Sequence, residues 1–233
     1  MAILGFLNVC VSMLLLQLSI FFGKASVTAI LVSINPLFVS LLALLLIREK
    51  IKLIQLFSIM AGAIGVILII FGELDFNHSS YKNLNLGIVL ALSAAFVFAL
   101  YTVLTKKTIL LCGNIITNSL SFIFGSVMLF VLSIAFNKKI LFEPSASNLL
   151  FILYLGIVLT GVAYLLYFEG MKGLTAASAS QYFFLKPILA SILAIVFLSE
   201  KLSLTQMIGM LVIVISLSFS NFLSRFLIRK TAN

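Results

Sequence analysis

Eight stretches of this 233-residue chain run for about twenty residues with no more than one charge each. They fall at roughly 2–22, 26–47, 53–72, 85–105, 115–136, 149–169, 174–198 and 204–224. A continuous apolar run of about 18 residues or more is long enough, as an α-helix, to cross the roughly 30 Å hydrocarbon core of a bilayer. The runs show no alternation of polar and apolar residues, which a membrane β-barrel would require. The expected fold is therefore an all-α polytopic membrane protein with eight transmembrane helices.

Composition agrees. The chain is 63% hydrophobic and 9% charged, whereas a soluble domain carries about 25% charged residues. So few charges cannot clothe a water-facing surface. The first block lacks a basic residue before it and is too long for the core of a cleaved signal peptide. Cys10 and Cys112 are too few for a disulfide framework or a metal cluster. The connecting loops, the longest near 73–84 and 137–148, are too short to hold a separate domain.

The net charge of +9 is read as topology and not as nucleic-acid binding, because basic residues collect on the cytoplasmic side of membrane proteins. A cytoplasmic N-terminus places Arg48, Lys50, Lys52, Lys106, Lys107, Lys172, Arg225, Arg229 and Lys230 inside. Lys24, Lys82, Lys138, Lys139 and Lys201 then lie outside, a ratio of nine to five. Eight spans put both termini on that same side.

The chain also repeats itself. Residues 35–51 read NPLFVSLLALLLIREKI and residues 186–202 read KPILASILAIVFLSEKL. With a shift of 151, eight of 22 positions in 35–56 and 186–207 are identical, among them Pro36/Pro187, Glu49/Glu200, Lys50/Lys201 and Gln55/Gln206. Shared apolar composition would align leucines but not Pro, Glu-Lys and Gln together. The register continues with small residues, Ser58 opposite Gly209 and Gly65 opposite Ser216. Small residues seven apart share one helix face and permit close packing. The two copies lie in the second and seventh blocks, an odd number of spans apart, so they cross the membrane in opposite directions. Inverted repeats are a signature of secondary transporters, whose sites lie near the midplane between the repeats.

The doubled pattern of Pro, Glu thirteen residues on, then Gln and spaced small residues resembles the EamA family of the drug/metabolite transporter superfamily. LYLGIVLTGVAYLLYFEGMKGLTAASAS at 153–180 resembles that family's helix pair leading into the pattern, and GIVLALSAAFVFALYTVLTKK at 87–107 the opening helix of its second repeat. The resemblance implies a plasma-membrane carrier of small metabolites, often an exporter. It implies ten helices in two repeats of five, whereas this chain has three blocks (1–72) and then five (85–226). Pro187 lies 101 residues after Leu86 and Pro36 only 35 after Met1, so the first repeat is about 66 residues shorter. That is enough for two helices and a loop. The chain is expected to be either a fragment or a short form, with a groove beside the first and second blocks. A lipid surface or a homodimer would cover it.

No carboxylate falls mid-membrane. Glu49, Glu73, Asp75, Glu143, Glu169 and Glu200 all lie at helix ends or in loops, and Glu49 and Glu200 are expected to pair with their basic neighbours. The single histidine, His78, is in a loop. Without paired carboxylates or a His cluster the chain is not read as an enzyme, and no cofactor is implied. Pro36 and Pro187 each break a spanning helix, and freed carbonyls are tolerated where they face protein or a water-filled cavity. Asn35 and Lys186 precede the prolines; Gln181 and Tyr182 lie about a turn earlier on the span of Lys186, Tyr164 and Tyr167 on the sixth span and Tyr101 on the fourth. These are the candidate substrate-binding residues, the polar handles of an otherwise apolar pocket. Lys186, twelve residues into its block, sits too deep to snorkel. Its amine could bond to carbonyls freed at Pro187, bind an anionic substrate, or titrate as a coupling site. The rival to a carrier is a non-transporting membrane scaffold or partner subunit.

Overall fold

The computed structural model describes residues 1–23, 25–73, 83–136, 145–198 and 203–231, apart from some side chains, chiefly those of 219–231. These residues form helices and short connections, with no strand among them. The helices are α1 (Ala2–Phe22), α2 (Ala25–Ser33 and Asn35–Leu46), α3 (Leu53–Glu73), α4 (Leu84–Cys112), α5 (Asn114–Ala135), α6 (Ala146–Lys172), α7 (Ala176–Leu198) and α8 (Leu204–Thr231). Six of them are long and apolar enough to cross a membrane, and α3 and α8 carry shorter apolar stretches. The protein is an all-α polytopic membrane protein.

Both expected breaks are present. The helix α2 is interrupted at Ile34, and Pro36 opens its second half, where a missing N–H costs nothing. In α7 a tight 3₁₀ turn, Gln181–Phe184, precedes the stretch that carries Pro187. A second pair of irregularities was not anticipated. Wide π turns occupy Phe6–Ser12 of α1 and Tyr154–Val162 of α6. These are equivalent segments in the 151 register, so the repeat extends to helices whose sequences show it only faintly.

The central helix is α4. Its small residues Ala91, Ala94, Ala95 and Ala99 are all buried, and α1, α2 and α5 pack around it. Between lipid-embedded helices there is no hydrophobic driving force, so contact rests on close approach and interhelical hydrogen bonds. Accordingly Ser12 donates to the Ala94 carbonyl at 3.2 Å and Ser19 to that of Gly87 at 2.9 Å. The α1–α5 crossing brings backbone against backbone at Gly5 and Gly125.

The helices α3 and α8 pack on each other along their length. Ser58 lies against Ser216 and Gly65 against Gly209, so the helices run antiparallel. Under the 151 register each contact is the image of the other, which makes the interface isologous in the manner of a two-fold dimer.

The open side lies elsewhere than the sequence suggests. The helices α1 and α2 are covered by α4 and α5. Of the most apolar stretch of α1, 39% is buried, against 0% for its equivalent α6. The outer half of α7, including Leu189, Leu193, Val196 and Phe197, is also exposed. The expected groove beside the first two spans is therefore corrected to one beside α6 and α7. The reason is the inversion itself: α4 and α5 of the second half cover α1 and α2 of the first, whereas among the described residues no pair equivalent to α4 and α5 lies on α6 and α7.

Candidate functional site

The face where α2, α4 and α6 end carries a buried ion pair. Lys106 on α4 donates to Glu49, which follows α2, and to the Leu174 carbonyl ahead of α7. The other oxygen of Glu49 accepts the Ala176 N–H at 2.8 Å, placing a carboxylate at the N-terminus of α7. Glu49 was expected to pair with its sequence neighbours. It does fix a helix end, but that of α7, and its cation is Lys106. The expected pair at Glu200 lies outside the described residues, as do Lys24, Asp75, His78, Lys82, Lys138, Lys139, Glu143 and Lys201. The paired Gln residues serve as caps: Gln55 accepts from Lys52 N–H at 3.1 Å, and Gln206 from Ser203 N–H at 2.8 Å. Each reaches back from the third helical position, as in a capping box.

Between α4, α6 and α7 lies a cavity of about 390 Å³, within the usual range for small-molecule sites. Phe98 of α4, Leu159, Ala163, Tyr164 and Tyr167 of α6, and Tyr182, Phe183 and Lys186 of α7 line it. It opens toward the uncovered face of α6, where Leu159 and Tyr182 are each 46% exposed. The wide turn Tyr154–Val162 in α6 contributes to this wall, since it displaces the following side chains from regular helical spacing; within it the Thr160 hydroxyl donates to the Leu155 carbonyl.

Lys186 supplies the cavity's only formal charge among its lining residues. Its amine stands 3.9 Å over the Phe183 ring. Among the described residues no oxygen accepts a hydrogen bond from it, so the carbonyls near Pro187 do not satisfy it. Lys186 is exposed and Phe183 half-buried, and a cation over an aromatic ring recovers about 0.5–1 kcal/mol where exposed and about 2 kcal/mol where desolvated. A lysine at mid-membrane costs about 2.5–3.5 kcal/mol on insertion scales and more in an isolated helix. The ring alone does not settle the charge, and a negative group entering the cavity would complete the balance. The Tyr167 hydroxyl is buried without a partner, a second polar handle in the same wall.

The structure thus brings Tyr164, Tyr167, Tyr182 and Lys186 together around one space. It does not bring the other candidates there. Tyr101 is fully buried behind the wall, its hydroxyl 3.4 Å from Asn118. Gln181 is buried with its amide directed at the Gln55 carbonyl, 3.5 Å away. Asn35, fully buried, donates to the Ala95 carbonyl at 3.3 Å, and Pro36 and Pro187 are buried at the breaks. Phe98, Leu159, Ala163 and Phe183 were not anticipated; the spacing of 159, 163 and 167 along α6 could have pointed to Leu159 and Ala163, and nothing in the sequence pointed to Phe98 or Phe183. Among the described residues no group of His, Cys, Asp or Glu is arranged to hold a metal.

The profile of the EamA-like transporter family matches residues 1–71 and 85–222. An uncharacterized transporter of Clostridium kluyveri is 36% identical over 92% of this chain and 69% of its own length. Protein PecM of Dickeya dadantii is 30% identical over 98% of this chain and 75% of its own. A solved crystal structure superposes with a TM-score of 0.79 over 97% of this chain and 77% of that one, at 16% identity, a likeness of fold.

Proposed function

Because this chain belongs to the EamA-like transporter family, a family of membrane transporters, we propose that it is a secondary-type carrier working by alternating access, and that its substrate is a small amphipathic metabolite bearing a negative group. The observation that carries this reading is Lys186, an amine without an oxygen partner in a cavity walled by aromatic rings. Phe98, Tyr164, Tyr167, Tyr182 and Phe183 would receive the apolar body and Lys186 the anion. No carboxylate lines the cavity, so a zwitterion's ammonium would find no counter-charge there; the site suits an anion over an amino acid.

The carrier resides in the plasma membrane with both termini in the cytoplasm, and the family's habit favours efflux. A second copy of the chain lies on the bare face of α6 and α7 in this reading. The non-transporting scaffold is the second reading, favoured by the bare face of α6.

Proteoliposomes loaded with phenylpropanoate and related aromatic carboxylates test the proposal by counterflow of the labelled anion. Flux is expected in the parent. It should fall at least tenfold in Lys186→Asn, which keeps the polarity that Asn35 holds at the equivalent break. Absence of flux in the parent favours the scaffold; equal flux in Lys186→Asn refutes the anion-binding role.

A further inference from the structure

We propose that Asn8 is a second, neutral polar subsite of the same transport pathway, taking a hydroxyl or amide carried on the body of the organic anion; this rests on the carrier reading above. Asn8 is 1% exposed, and neither its amide nitrogen nor its carbonyl oxygen has a hydrogen-bond partner. Buried polar groups in native proteins are nearly always paired, and an unpaired carboxamide is retained where a water or a ligand is to meet it.

Three observations connect this residue to transport. First, Asn8 lies within the wide turn Phe6–Ser12 of α1, and such turns inside α-helices recur at functional sites. Second, its carboxamide faces the Tyr164 phenol without closing a hydrogen bond. Tyr164 also lines the cavity, so one ring separates Asn8 from the open space. Third, the 151 register equates Asn8 with Leu159, Ser12 with Ala163 and Asn35 with Lys186. All three counterparts line the cavity. Where the halves exchange roles, Asn8, Ser12 and Asn35 take the place that Leu159, Ala163 and Lys186 hold here. Two of these three carry the buried unpartnered amide atoms found among the described residues, both atoms of the Asn8 carboxamide and the Asn35 side-chain oxygen.

The chemistry follows from the two sets. One half presents a cation with apolar neighbours. The other presents carboxamides, which offer one donor and one acceptor in a single plane and so match a hydroxyl or an amide. The substrate class with both recognition elements is an amphipathic organic anion that also carries a neutral donor–acceptor group. A site built to hydrogen-bond such a group discriminates strongly against the analogue lacking it, because its own polar atoms are otherwise left unpaired.

The test measures dissociation constants on the purified full chain in nanodiscs for phenylpropanoate, its 2-hydroxy, 3-hydroxy and 4-hydroxyphenyl derivatives, and the amide-bearing phenylacetylglycine. At least one polar derivative should bind the parent tenfold or more tighter than phenylpropanoate. Asn8→Leu, of equal size, should cut that advantage below threefold while changing phenylpropanoate binding less than threefold; Asn8→Ala reads the same ratio should the leucine variant not fold. A polar advantage that survives in the variants, or none in the parent, overturns the subsite and marks Asn8 as a water site only. Failure of every anion to bind the parent overturns the carrier reading and the subsite with it.

Discussion

Ser58 and Ser216 each donate a hydrogen bond to the other's backbone carbonyl at 2.6 Å, and their hydroxyl oxygens lie 3.2 Å apart. Under the 151 register this contact is the image of the Gly65–Gly209 contact, so the local two-fold relating α3 to α8 passes between the two. One turn-pair away, a Cβ on Gly65 would stand 2.7 Å from the Gly209 carbonyl, and one on Gly209 2.6 Å from that of Gly65. An alanine at either position collides with backbone that cannot swing aside. Gly65→Ala and Gly209→Ala should each destabilise the protein by about 2 kcal/mol, and by similar amounts. Ser58→Ala and Ser216→Ala should each cost about 0.6–1.7 kcal/mol, the range for interhelical hydrogen bonds in membranes. Reversible unfolding in mixed micelles reads all four. A severalfold difference between the two members of either facing pair, Gly65 and Gly209 or Ser58 and Ser216, would contradict these reciprocal contacts.

The Glu49–Lys106 pair is largely buried, its side chains 15% and 10% exposed. Removing one partner of such a pair leaves an uncompensated charge and costs about 3–5 kcal/mol, whereas removing both costs less. Lys106→Met should therefore be more damaging than the double substitution Glu49→Gln with Lys106→Met. The same micelle unfolding, arranged as a double-mutant cycle, gives the coupling. A coupling near zero would mean that Glu49 acts only as the cap of α7.

The bare face of α6 and α7 predicts an interface. Cysteines replacing Leu155 and Val158, both exposed on α6, should cross-link between copies in native membranes at catalytic oxidant. The same substitution at buried Val9 of α1 should not. Cross-links at neither α6 position would show that lipid, not a second copy, lies there.

Much of this architecture is legible in the sequence because hydrocarbon leaves so few choices. A twenty-residue run without charge must be a helix, and Pro36 and Pro187 must break theirs. The run at 85–105 extends to Cys112 as α4 because Lys106 is neutralised by Glu49 and Leu174, partners 57 and 68 residues away in sequence that no local pattern reveals. The open face fell on the other half because inversion trades partners between repeats, a consequence of the repeat that sequence spacing states only indirectly. Asn8 was missed because one Asn in an apolar run looks like any polar residue tolerated in a helix. Its counterpart Leu159, in the register the prolines define, was the available signal. Of the candidate site, Lys186 and three tyrosines share one cavity, while Tyr101 packs behind Tyr164 and Gln181 and the prolines are buried outside its lining. Helical spacing could not separate these groups, because it fixes a face and not the depth at which a side chain stops.

The central claim is that two inverted halves exchange roles. It is tested most directly by paired accessibility, in a background carrying Cys10→Ala and Cys112→Ser. Ala163→Cys lines the cavity here, and Ser12→Cys is its buried counterpart, 6% exposed. Membrane-impermeant thiol reagents are applied from each side of oriented vesicles, with and without a transported aromatic carboxylate. The account predicts that the two cysteines label from opposite sides, and that any condition raising the labelling of one lowers that of the other. Labelling of both from the same side, rising and falling together, would contradict it.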